Sequence, residues 1–335
     1  MGSMVWVLLG AGLGLAAVLG GFGYRYSVGQ GRLGRAAEAF LWTGVASIAV
    51  MAALHELLGF EAFVALAAVD LALLWVAFRL MPPGKGAEAK ALWVASCLLV
   101  TGSAVVWMGA STWPGGELSR IAANRSGYLF TTGTFFLGAL LTLAGFVTLR
   151  GVTRERGERR YSDWGACALL VGAACWTAHL VFRGTVVVVV ASQAVQPEWY
   201  AALRLWSGGM YAAYMTLAYL ATAAFGAAML KTGLAGRRWG RAFVIFGLVA
   251  TAGFLGQTGA FSPPLIVQFM PYVMGIVLLR QAARGPAKSK ERRDDFETPN
   301  GTPGARYEEE REKRLRMVLE KFGESSLGNL RMALL

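Results

Sequence analysis

His179 and Arg183 stand four residues apart in one of the most apolar stretches of the chain, Cys167–Val190, which reads CALLVGAACWTAHLVFRGTVVVVV. Arg183 is the only charge in that run. A cation at membrane depth is costly, from about 2.5–3.5 kcal/mol on insertion scales to above 10 in simulations, so it ordinarily faces a partner or a wet cavity. Helical spacing of four puts both side chains on one face. An imidazole changes charge near neutral pH and can relay protons. A guanidinium stays charged and recognises anions. The pair therefore points to anion recognition or proton coupling.

Other titratable residues inside apolar segments are few: His55, Glu56 and Asp70. Together with His179 and Arg183 they form the candidate polar set. Tyr211, Tyr214 and Gln268 are weaker members. A second chemistry is also open. The chain has two histidines, His55 and His179, and two imidazoles suffice as axial ligands of one b-type haem. No HExxH, GxSxG or Walker sequence occurs, and no paired carboxylate motif lies in an apolar segment. The sequence thus offers no enzyme class. Cys97, Cys167 and Cys175 have no CxxC spacing and read as small apolar residues.

The elements that position these residues follow from composition. Of 335 residues, 56% are hydrophobic and 16% charged, against roughly 25% charged in soluble domains. Apolar runs long enough to span a bilayer fall at about 4–23, 36–58, 61–80, 91–111, 127–149, 164–190, 203–230, 241–257 and 264–280. The reading is an all-α polytopic transmembrane bundle of about nine spans. The first span has no basic residue ahead of it and reads as a retained helix.

Orientation comes from the loops. Arg25, Arg32 and Arg35 lie in one; Arg79, Lys85 and Lys90 in another; Arg150, Arg154, Arg156, Arg159 and Arg160 in a third; Lys231, Arg237, Arg238 and Arg241 in a fourth. The alternate loops hold only Arg120, Arg125 and Arg204. The positive-inside rule then puts the N-terminus out and the C-terminus in, as expected for a plasma (cytoplasmic) membrane protein. The net charge of +12 is explained by these loops rather than by nucleic acid.

At about 1.5 Å per residue, Asp70 lies roughly 13 Å and Arg183 roughly 10 Å below the outer surface, with His179 about 6 Å deeper. The matching depths predict an Asp70–Arg183 ion pair between two helices. Trp113, Trp164, Trp199, Tyr200, Trp206 and Trp239 fall near helix ends, where aromatic rings anchor at the headgroups. Pro271 predicts a kink in the last span.

Three regions result: a transmembrane domain over 1–281, a basic juxtamembrane linker over 282–304 and a cytoplasmic tail over 305–335. The basic stretch Arg284–Arg293 suits anionic lipid. In Tyr307–Phe322, acids lead and bases follow along one short amphipathic helix with an apolar stripe, suited to the membrane or to a partner subunit. Three functions remain open: a transporter-like or channel-like protein using Asp70, His179, Arg183 and Glu56, a redox or non-catalytic subunit of a larger membrane complex, or a lipid-modifying enzyme using the outer-half polar set.

Overall fold

The computed structural model describes residues 60–193, 195–257 and 259–284, with residues 18, 20–21, 23–25, 31 and 34–44. The helices are α1 (Phe60–Leu80), α2 (Ala87–Ser111), α3 (Leu118–Ala123), α4 (Arg125–Glu155) and α5 (Arg160–Phe182). A π turn (Arg183–Val187) leads into α6 (Val188–Ala191). Then come α7 (Trp199–Lys231), α8 (Arg237–Leu255), α9 (Pro264–Val267) and α10 (Phe269–Arg284). Among the described residues six helical stretches are long and apolar enough to cross a membrane: Ala87–Ala110, Arg125–Glu155, Arg160–Ala191, Trp199–Lys231, Arg237–Leu255 and Pro264–Ala283. Each falls on a span expected from sequence, and α1 falls on a seventh. The protein is a helical membrane protein. The expected spans at 4–23 and 36–58 lie largely outside the described residues, as do the linker and tail beyond Arg284.

Neighbouring helices pack in a chain of contacts. Helix α2 lies against α1, α4 and α10; α4 against α5; α5 against α7; and α7 against α8. Lipid tails give no hydrophobic drive for this, so close backbone approach must supply the contact. At the α2–α4 crossing, a Cβ on Gly138 would sit 2.6 Å from the Gly102 carbonyl oxygen, and one on Gly102 would sit 2.8 Å from the Gly138 oxygen. Only hydrogen fits there. The same holds between α7 and α8, where a Cβ on Gly247 would sit 2.6 Å from the Tyr219 oxygen.

Helix ends are fixed locally. Asn124 accepts from the Gly127 N–H at 3.0 Å and starts α4. The buried Glu158 accepts from Tyr161 and Ser162 N–H at 2.8 and 3.1 Å, placing a carboxylate at the positive end of α5. Asp163, which reads as a solvated charge in sequence, pairs with Arg150 at 2.6 Å and ties α4 to α5. Arg156 pairs with Glu88 on α2.

Apolar side chains such as Val171, Val181 and Leu205 stand exposed on the outside of the helices, the arrangement expected against lipid. Trp164, Trp199 and Trp206 are exposed too, as interfacial anchors would be. Cys167 is exposed on α5, while Cys97 and Cys175 are half-buried. An apolar thiol facing lipid has no need of burial in protein.

Two helices are irregular. The predicted span 164–190 changes to π geometry at Arg183. The last span breaks at Gln268, three residues before Pro271, rather than bending at the proline itself. At the α2–α4 crossing, overpacking by one methyl typically costs about 1–3 kcal/mol. Gly138→Ala is expected to lower the melting temperature in detergent. Gly151→Ala, on the same helix with open space around it, should leave it unchanged or raise it.

Candidate functional site

The turn after α2 brings an aromatic ring back over the bundle. Helix α2 is followed by its capping residue Thr112, whose hydroxyl lies 2.8 Å from that of Thr131 on α4. Trp113 follows, then Pro114, Gly115 and Gly116. Gly115 takes a φ of +102°, a conformation that a side chain would strain. The short α3 then leads to Asn124, which starts α4 and sets Tyr128 in its first turn. Trp113 and Tyr128 face each other with ring centroids 5.2 Å apart.

Arg183 enters this aromatic pair. Its guanidinium carbon lies 3.8 Å from the Trp113 ring centroid and 5.2 Å from that of Tyr128. Its Nε donates to the Tyr128 hydroxyl at 3.1 Å. Its Nη2 is buried and has no hydrogen-bond partner among the described residues. The residue opens the π turn, a geometry that recurs at functional sites because it re-aims side chains out of the regular helical ladder.

The energetics explain why no carboxylate is needed. A desolvated cation–π contact is worth about 2 kcal/mol or more. A hydrogen bond to a charged group adds about 1.5–3 kcal/mol. Together these come to about 3.5–5 kcal/mol, enough to cover the roughly 2.5–3.5 kcal/mol that insertion scales assign to an arginine at mid-helix.

The expected Asp70–Arg183 ion pair is not formed. Among the described residues Arg183 has no carboxylate partner. Asp70 is buried on α1, within electrostatic range of Tyr272 on α10. Helix α1 packs on α2, whereas α5 packs on α4 and α7, so equal depth does not bring the two charges together. His55 and Glu56 lie outside the described residues, and with His55 lies the second axial position of the haem reading. Among the described residues no group of three His, Cys, Asp or Glu side chains is arranged to hold a metal ion.

His179 does lie near Arg183, one turn away and within electrostatic range. Its Nδ1 is 3.0 Å from the Ser207 carbonyl oxygen and 2.8 Å from the Ser207 hydroxyl on α7. An Nδ1–H donated to the carbonyl leaves Nε2 as the basic nitrogen. The imidazole is flanked by Trp176, with centroids 5.4 Å apart, and by Tyr211 at 5.3 Å. The Tyr211 hydroxyl donates to the Ser262 carbonyl in the α8–α9 connection.

Gln268 and Tyr214 form a separate buried group. The Gln268 Oε1 accepts from Thr142 at 3.0 Å and from Ser103 at 3.3 Å, and its Nε2 donates to Tyr214 at 3.4 Å. One side chain at the helix break thus joins α2, α4 and α7.

Sequence reasoning missed Trp113, Tyr128 and Ser207. Trp113 carries an anchor-like pattern at a helix end, so only its Pro-Gly-Gly follow-on marks a turned-back loop. No family model, curated protein or solved structure matches this chain.

Tyr128→Phe keeps the ring and removes the acceptor of the Arg183 Nε. A buried donor left unmet costs about 1–3 kcal/mol, more when charged. The variant should melt several degrees lower than the parent. Thr148→Val, which alters an exposed hydroxyl on the same helix, should not.

Proposed function

We propose that this integral membrane protein is transporter-like and recognises an anionic group through Arg183. The observation that carries the reading is the Arg183 Nη2: a buried guanidinium donor with no hydrogen-bond partner among the described residues, on an arginine that opens a π turn. An unmet buried donor is costly and calls for a partner such as a water, an ion or a ligand. The clamp holds the guanidinium over the Trp113 ring and occupies Nε. This leaves Nη2 to meet a carboxylate or phosphate oxygen.

His179, one turn away and with its Nδ1 held by Ser207, is the proton relay of this reading. Asp70 does not pair with Arg183 and stands outside this reading. The basic loops favour N-terminus out and C-terminus in, which sets Arg183 in the outer half of the membrane. The stretch Arg284–Arg293 would then meet anionic lipid on the inner face. The alternative reading, a haem-carrying or non-catalytic subunit, turns on His55, which lies outside the described residues.

The test separates recognition from packing. Replacing buried ionic groups with apolar side chains of similar volume is often neutral or stabilising, provided no opposite charge is left behind, and Arg183 has no carboxylate partner among the described residues. Arg183→Met should therefore hold or raise the melting temperature in detergent. With inorganic phosphate or acetate titrated in, the parent should gain stability, by about 2.7 kcal/mol at a hundredfold excess over Kd. The Met variant should gain none and should take up less of the anion into proteoliposomes. Equal stabilisation of parent and variant would refute the assignment.

A further inference from the structure

Pro271 is the third residue of α10, and its ring nitrogen carries no hydrogen. In a continuous helix that position would donate to the Val267 carbonyl, four residues earlier. Helix α9 stops at Val267, and Gln268 lies between the two helical pieces. Val267 and Gln268 are both buried, each 2% exposed. Within a membrane protein a backbone carbonyl left without a donor costs several kcal/mol, so this one needs a partner.

A cavity of about 20 Å³ lies against Val267, Gln268 and Pro271; Thr142, Tyr214 and Thr222 add polar groups to a lining that is otherwise apolar. One water needs roughly 10–15 Å³ of such space and two to four polar partners. The cavity therefore admits one water and no organic molecule.

The rim supplies those partners. The Tyr214 hydroxyl accepts from Gln268 Nε2, and its own proton meets no acceptor among the described residues. Thr142 donates to Gln268 and Thr222 donates to the Ala218 carbonyl at 2.9 Å, so each hydroxyl keeps lone pairs free. No carboxylate lines the space, and the Tyr214 proton disfavours a cation there.

We propose that this cavity is a binding site for one ordered water, which accepts from Tyr214 and donates to the Val267 carbonyl. The water closes the helix ladder that Pro271 opens and joins α7 to the α9–α10 break. It is independent of the Arg183 reading.

Two measurements test it on the full chain. A density map fine enough to show ordered water should have one peak within hydrogen-bond reach of both the Tyr214 hydroxyl and the Val267 oxygen. A map with waters elsewhere in the bundle and none at this point would overturn the proposal. In thermal melting, Pro271→Ala restores an N–H for the Val267 carbonyl. Tyr214→Phe should then lower the melting temperature less in the Pro271→Ala background than in the parent. An equal drop in both backgrounds would overturn it as well.

Discussion

The Arg183 guanidinium rests 3.8 Å from the centre of the Trp113 ring and donates to the Tyr128 hydroxyl. Among the described residues its charge is therefore met by aromatic faces and one phenol rather than by a carboxylate. That difference matters for chemistry. An arginine closed by an ion pair has no net charge to offer. An arginine held by rings keeps its full charge and a free donor. The membrane sets the terms, because charge in an apolar surround must be met by something.

The rest of the site can be traced to that clamp. Trp113 reaches the guanidinium because Pro114, Gly115 and Gly116 turn the chain back at the end of α2. Tyr128 is set by the Asn124 cap that starts α4. The α2–α4 contact that holds both rings in register depends on Gly102 and Gly138. Arg183 meets the rings from α5 through a π turn. Each of these is a local rule of backbone geometry, and together they place one cation between two rings.

The buried polar groups elsewhere follow the same logic on the backbone. The break at Gln268 leaves a carbonyl to be met, and the side chain at the break accepts from Thr142 and Ser103 and donates to Tyr214, across three helices. Polar residues act here as joints between helices that lipid cannot hold together.

Much of this was legible in the sequence and some was not. The apolar runs located the six apolar helices and α1, since hydrogen-bond satisfaction in lipid permits little else. Arg183 and His179 stood out because a charge in such a run is costly. Their partners did not. Depth along a helix can be counted from residue number, but the lateral order of helices cannot, and α2 and α4 intervene between Asp70 and Arg183 in the packing order. Trp113 carries the same pattern as Trp164, which does stand exposed. What separates them is the loop that follows. Pro271 announced an irregularity, while the break at Gln268 depends on which carbonyl loses its donor. The most direct test of the aromatic clamp is a double-mutant cycle between Trp113→Leu and Arg183→Met, read by thermal melting in detergent. The clamp predicts that Trp113→Leu is costly in the parent, with a coupling of about 1–2 kcal/mol, and nearly neutral once Arg183 is Met. An equal cost in both backgrounds would show that Trp113 is packing alone and that something else holds the charge.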